Sequence, residues 1–143
     1  MRNFLIASTA VGILATGAVA QNAATGGRPF TATLTGAAEV PGPGDSDGSG
    51  QARVTVNPGT GDICYVISVR NIAPATAAHI HEAPEGRSGD VVLGLKAPTS
   101  GTSSGCENDK DLAVEILRNP EDYYVNIHNP AFPGGAVRGQ LGK

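Results

Sequence analysis

Short runs of alternating apolar and polar residues, separated by turn-forming residues, most constrain the fold of this chain. Its 143 residues include 20 glycines and 10 prolines, and the clearest alternation is Phe30-Thr31-Ala32-Thr33-Leu34-Thr35. Side chains of a strand point alternately to its two faces, so such a run predicts a strand with one buried face. The same pattern predicts seven strands, over residues 30–35, 52–56, 63–69, 77–82, 91–95, 123–128 and 136–141.

One segment has the periodicity of a helix. Leu112 and Ile116 are four residues apart, and Asn108 or Asp109 can act as N-cap, which predicts a two-turn helix over residues 111–118. Short strands joined by loops rich in glycine and proline favour an all-β domain, either an antiparallel β-sandwich or a closed Greek-key barrel. With three Phe, three Tyr and no Trp, the core must consist mainly of aliphatic residues.

The N-terminus has the three parts of a secretory signal peptide. Arg2 is basic, residues 4–15 are apolar without a charge, and Ala18-Val19-Ala20 has small residues where an A-x-A cleavage site needs them. The apolar run is shorter than the roughly 20 residues of a membrane-spanning helix. We therefore predict a periplasmic or secreted protein without a stable membrane anchor. The chain divides into a signal peptide, a disordered leader and one β-barrel domain, at residues 1–20, 21–29 and 30–143.

The charge of the chain argues against nucleic acid as a partner. The full sequence has 10 basic and 13 acidic residues. Loss of Arg2 with the signal peptide leaves nine basic residues and a net charge of about −4. No basic patch is present that could follow a phosphate backbone. The natural partner cannot be read from the composition.

The two cysteines, Cys64 and Cys106, predict a disulfide. An even number of cysteines in an exported protein usually forms bridges, and the C-x-x-C spacing of a redox or metal site is absent. Closing a loop of roughly 43 residues restricts the unfolded chain by about 4 kcal/mol in the entropic account. We expect the two Cα atoms to lie about 4.4–6.8 Å apart.

All three histidines lie in two strand-like segments. His79 and His81 are two residues apart, so they share one face of a strand while the residue between them points to the other. Asn126 and His128 share a face of a second strand in the same way. If the two strands are neighbours, three imidazoles converge on the polar face of the sheet. We predict that this face lies opposite the apolar side chains Ile80, Val125 and Ile127.

Three segments, in this order, carry a resemblance to a known family. They are Ala77-Ala78-His79-Ile80-His81, then Tyr124-Val125-Asn126-Ile127-His128-Asn129, then Gly134-Gly135-Ala136-Val137-Arg138-Gly139-Gln140. They resemble the CHRD domain, which is named after chordin and also occurs in many bacterial exported proteins. The resemblance extends over residues 30–141 and implies an immunoglobulin-like β-barrel. It implies no common activity for the bacterial members.

A narrower resemblance concerns metal chemistry. His79-Ile80-His81-Glu82 is similar to the histidine pair of copper/zinc superoxide dismutase, where two alternate histidines of a barrel strand bind copper. His128 and Arg138 follow in the order of that enzyme's third copper histidine and of the arginine that guides the anion. The fourth copper histidine, the bridging histidine and the zinc ligands have no counterparts. The resemblance implies at most a mononuclear site.

Two interpretations of the histidines remain open. Three neutral imidazoles suit copper or zinc, whereas calcium and magnesium prefer oxygen ligands. His79, His81 and His128 would then bind one ion, Arg138 would attract a small anion, and Asn126 would orient the rings. Alternatively, the rings hydrogen-bond to loop backbone and lock the turn at residues 133–135. In that case Arg138 pairs with Glu82 or Asp90.

The functional prediction follows from what the motifs lack as much as from the histidines. No complete catalytic constellation, phosphate loop or dinucleotide fingerprint is present in the sequence. We therefore predict an exported CHRD-domain protein that acts as a non-catalytic binding or structural module. The alternative is a mononuclear copper- or zinc-binding protein with a three-histidine site, of the superoxide dismutase type if it is an enzyme.

Overall fold

The computed structural model describes residues 26–143, so the predicted signal peptide and most of the predicted leader lie outside the described residues. This part of the chain forms eight strands, one α-helix and two short 3₁₀ helices. The strands are β1 Arg28–Thr35, β2 Ser49–Asn57, β3 Asp62–Arg70, β4 Ala77–Glu82, β5 Asp90–Leu95, β6 Thr102–Asn108, β7 Tyr123–His128 and β8 Val137–Gln140. The α-helix is α1 Lys110–Arg118, and the 3₁₀ helices are Gly36–Ala38 and Pro120–Asp122.

The eight strands form one antiparallel sheet that curls into a nearly closed barrel. Their order is β5-β4-β7-β8-β1-β2-β3-β6. Sequence neighbours pair in β1–β2, β2–β3, β4–β5 and β7–β8, whereas β4–β7, β1–β8 and β3–β6 join strands that are not consecutive in sequence. This architecture confirms the predicted all-β antiparallel class, and it makes β4 and β7 neighbours. No helix in the described part of the chain is long and apolar enough to cross a membrane.

The barrel interior follows from the alternation of the strands. Phe30, Ala32 and Leu34 on β1 are buried, and the residues between them are exposed. Most of the core is aliphatic, as the shortage of aromatic residues predicts. Helix α1 adds the buried side chains Ala113 and Ile116 to this core.

Strand β6, Thr102–Asn108, was not predicted. Its sequence, Thr-Ser-Ser-Gly-Cys-Glu-Asn, has no apolar alternation, and most of its residues are exposed at the edge of the sheet. It is a strand because its backbone pairs with β3 from Ser68 to Asp62. The helix that follows confirms the prediction, because the Asp109 carboxylate caps it by accepting a hydrogen bond from the Leu112 amide.

The predicted disulfide between Cys64 and Cys106 is present. The two residues are direct partners in the pairing of β3 with β6. Their Cα atoms are 4.0 Å apart, which is shorter than the predicted range. The prediction assumed an average bridge, whereas directly opposed residues of antiparallel strands approach to about 4.5 Å even without one. The bridge therefore ties the edge strand β6 to the rest of the sheet.

Candidate metal centre

The pairing of β4 with β7 brings the three histidines together. His79 lies opposite Asn126, and His128 lies opposite Ala77 at the end of the same ladder. The side chains between them point inward, and Ile80, Val125 and Ile127 are each 0 % exposed. His79 and His128 are half-buried on the opposite face of the sheet, with His81 buried beside them. The predicted segregation of the two faces is confirmed.

The ring nitrogens are close enough to share one ion after a small adjustment. His79 Nδ1 is 3.2 Å from His128 Nε2. One ring nitrogen from each of His79, His81 and His128 lies within 4.8 Å of the others. Nitrogen ligands lie about 2.0–2.1 Å from copper or zinc, so two of them are at most about 4.2 Å apart on one ion. The closest pair already fits, and the wider separations need a ring shift on the order of 1 Å.

Backbone carbonyls set the tautomers of two rings. His81 Nδ1 is 2.9 Å from the Gly89 carbonyl oxygen, and His128 Nδ1 is 3.0 Å from that of Pro133. A carbonyl only accepts, so each Nδ1 carries the proton and each Nε2 carries the lone pair. His81 Nε2 is buried and has no hydrogen-bond partner among residues 26–143. The predicted hydrogen bonds to loop backbone are thus present. They leave His81 Nε2 without a partner, whereas His128 Nε2 is within hydrogen-bonding distance of His79 Nδ1.

The ring of Tyr124 lies between His81 and Arg138. It stacks on His81 with ring centroids 4.8 Å apart and planes at 8°. The Arg138 Cζ atom is 3.4 Å from the centroid of the same ring. Because β4 and β8 flank β7 on its two sides, the imidazole and the guanidinium cover opposite faces of the phenol ring. We call this arrangement the His81–Tyr124–Arg138 stack.

Arg138 is buried and hydrogen-bonds to the neighbouring loop and to its own strand. It is 2 % exposed, and its guanidinium donates to the Pro84 carbonyl and to the Gln140 side-chain oxygen, both at 3.4 Å. It makes no ion pair with Glu82 or Asp90. The one ion pair between side chains in the described region is Arg118–Glu115 on helix α1.

Glu39, which the sequence did not predict as part of the site, is a buried carboxyl group beside Asn126. Asn126 donates from Nδ2 to Glu39 Oε2 at 3.3 Å, so this amide contacts Glu39 and not a histidine ring. A Cβ atom on Gly135 would lie 2.3 Å from the same carboxylate oxygen, so the glycine turn makes room for it. Glu39 follows a 3₁₀ helix in a loop, and no periodic pattern marks it.

The loop of residues 83–89 holds His81 in place. Gly89 accepts from His81 through its carbonyl and donates its N–H to the Tyr124 hydroxyl at 3.2 Å. Gln140 donates to the Ala83 carbonyl at 2.7 Å, and the Ser88 hydroxyl donates to the Val40 carbonyl. The loop is therefore anchored at both ends to the sheet and to a neighbouring loop.

The environment lowers the pKa values of two histidines. Burial lowers the pKa of His79 below 6.5, and the neighbouring His128 and His81 add to this. Burial also lowers the pKa of His81, against the hydrogen bond to Gly89, and His128 and Arg138 contribute in the same direction as burial. The neutral form that binds metal therefore persists below pH 6.5, lower than unperturbed imidazole allows.

Glu39 makes the stability of the protein depend on pH. It is 5 % exposed, and burial raises its pKa from 4.5 to about 7, although Arg138 and Asn126 act in the opposite direction. Because the folded-state pKa is the higher one, the stabilisation is present below pH 4.5 and is lost as the pH rises through 7. A rise of this size corresponds to about 3 kcal/mol.

We therefore expect the free energy of unfolding of wild type to fall by about 2 kcal/mol between pH 5 and pH 8 because of Glu39. The Glu39→Gln variant should not show this fall. Urea denaturation of both proteins at the two pH values measures it. The lowered pKa values of His79 and His81 act in the opposite sense but are common to both proteins, so they cancel in the difference. Glu107→Gln on the exposed edge strand is the control. Equal pH dependence in wild type and Glu39→Gln would contradict the assignment.

The fold and the site together define a class: a disulfide-bridged antiparallel β-barrel domain with a three-histidine cluster on one sheet face. The sequence matches the CHRD domain family over residues 30–141. The chain belongs to this family, and the match confirms the resemblance seen in the sequence. No curated protein and no solved structure matches the chain. His79, His81, His128 and the stacked arginine all lie inside the matched region.

Proposed function

We propose that this CHRD domain is an exported, non-catalytic metal-binding module that holds one copper or zinc ion on His79, His81 and His128. The observation that carries the proposal is the convergence of one ring nitrogen from each histidine within 4.8 Å. Imidazole nitrogen suits copper and zinc, and the Irving–Williams order favours Cu(II) of the two. An exported location is supported by the disulfide, which is typical of oxidising compartments.

The hydrogen bonds of the rings favour a ligand over a purely structural role. The Gly89 and Pro133 carbonyls use only the outer nitrogens of His81 and His128. The inner nitrogen of His81 is buried without a partner in the described region. Leaving such an acceptor unpaired costs about 1–3 kcal/mol, a cost that a metal ion on Nε2 would remove. Rings held by backbone carbonyls in this way are typical of histidine ligands.

The dismutase-type alternative has less support. Three protein ligands leave an open position, and His79 and His128 are half-exposed, so the proposed ion is within reach of solvent. However, Arg138 is 2 % exposed and covered by Tyr124, so it is poorly placed to guide an anion arriving from solvent. We therefore propose binding without turnover.

Isothermal titration of the metal-free, disulfide-bonded protein with Zn(II) and with Cu(II) at pH 7 tests the proposal. We expect one ion per chain. Loss of a residue that only orients a ligand typically weakens metal binding by about 10- to 100-fold, so loss of the ligand itself in His81→Ala should weaken it by more than about 100-fold. Gln51→Ala, on an exposed position of β2, is the control and should bind as wild type does. Folding of each variant is checked by thermal denaturation. Unchanged affinity in folded His81→Ala would refute the proposal.

A further inference from the structure

We propose that the buried guanidinium of Arg138 biases the three-histidine site toward the ion of lower charge, monovalent copper, over divalent copper and zinc. This inference rests on the proposed metal site and names the form of the metal that the site prefers. Arg138 does not contact the ion; its charge acts on the ion through space and across the His81–Tyr124–Arg138 stack.

The stacking contacts and the strand register both place the guanidinium of Arg138 close to the three histidines. Through the stack, Arg138 is separated from His81 by one phenol ring, at 3.4 Å and 4.8 Å from its centroid. Through the sheet, Arg138 lies opposite Asn126, which lies opposite His79. Two strand spacings amount to roughly 10 Å.

The donor set of the site does not offset this charge. Three neutral imidazoles bring no negative charge to the ion. Asp90 is within electrostatic range of His81, but it is exposed and therefore screened by solvent. Glu82 is exposed too, and its partner in β7 is Tyr123, whose ring belongs to the core on the opposite face of the sheet. Among residues 26–143, the buried carboxyl of Glu39, beyond Asn126, is the one buried acidic group that can compensate Arg138.

A buried charge at this distance affects ions according to their own charge. Repulsion from the guanidinium is twice as large for a divalent as for a monovalent ion. At roughly 10 Å and an effective dielectric constant of about 20, the difference is about tenfold in relative affinity. Three nitrogen donors also complete a trigonal shell for Cu(I), whereas Zn(II) needs a fourth ligand from solvent. Both effects favour Cu(I).

The experiment measures the ratio of Cu(I) to Cu(II) affinity at pH 8, by competition with a chromogenic chelator for each ion. The Cu(I) arm contains excess ascorbate under argon. Arg138→Gln should lower the ratio about tenfold, whereas Arg138→Lys, which keeps a cation on the Tyr124 ring, should retain most of it. Arg118→Gln removes the same charge from the exposed surface of α1 and should leave the ratio unchanged.

Glu39→Gln should change the ratio in the direction opposite to Arg138→Gln. It can be measured even if Arg138→Gln does not fold. At pH 8 it removes the buried negative charge that offsets Arg138, so the ratio should rise. Opposite shifts in the two variants support an electrostatic role, because structural damage would not change sign with charge. A ratio that stays constant in Glu39→Gln, or that moves the same way in Arg138→Gln and Glu39→Gln, overturns the inference. If wild type binds no copper or zinc at all, the proposed function itself is wrong.

Discussion

Replacing Cys64 and Cys106 together by alanine is expected to lower the free energy of unfolding by about 4 kcal/mol. The bridge joins residues 42 apart in sequence, so removing it frees a long loop in the unfolded chain. Cys106 is exposed and Cys64 is half-buried on the outer face of the sheet, so the change leaves no cavity in the core. The expected loss therefore comes from the cross-link and not from packing.

Urea denaturation of the double variant and of wild type, each with and without dithiothreitol, measures this effect. Reduced wild type should approach the double variant, and the reductant should leave the double variant unchanged. A loss below about 1 kcal/mol would mean that the segments of β3 and β6 stay close together in the unfolded chain even without the bridge, or that the bridge strains the folded state.

Gly89→Ala is expected to lower the free energy of unfolding by about 3 kcal/mol and to weaken the proposed metal binding by about 10- to 100-fold. A Cβ atom at this position would overlap the Glu82 carbonyl oxygen, which belongs to the backbone of β4 and cannot rotate away. Displacing Gly89 also removes the carbonyl that orients His81 and the N–H that binds the Tyr124 hydroxyl. Stability and affinity should therefore fall together.

The matched control is Gly142→Ala, where a Cβ atom would meet nothing nearer than the Thr31 carbonyl at 4.0 Å. It should change neither stability nor metal affinity beyond about 0.5 kcal/mol. Thermal or urea denaturation gives the first quantity, and titration with Zn(II) gives the second. A Gly89→Ala protein that binds zinc as wild type does would show that the loop does not position His81.

Local pattern was sufficient for the features that depend on one segment. Period-2 alternation separated His79 and His81 from Ile80, and it placed Val125 and Ile127 in the core, because alternation is a property of any strand. The N-cap of α1 was recognisable because Asp109 acts on its own helix. Strand β6 was not recognisable, because its pairing with β3, and not its own composition, makes it a strand.

The surroundings of the histidines could not be predicted, because they depend on contacts distant in sequence. Glu39 and Asn126 are 87 residues apart, and each has an ordinary polar sequence context. Tyr124 was visible only as a strand residue, although its ring joins His81 to Arg138. A resemblance in residue order suggested that Arg138 attracts a small anion, but that order could not show that Arg138 is buried against the ring of Tyr124.

By itself, the sequence determined the all-β class, the cysteine pair and the side of the strand on which each histidine lies. These follow from backbone geometry and from residue composition, which act over a few residues. Only the tertiary structure decided that β7 lies between β4 and β8. That order brings His79 within 3.2 Å of His128 and puts a buried cation behind His81. Strand order is set by which apolar faces close the barrel together, and no single segment contains that information.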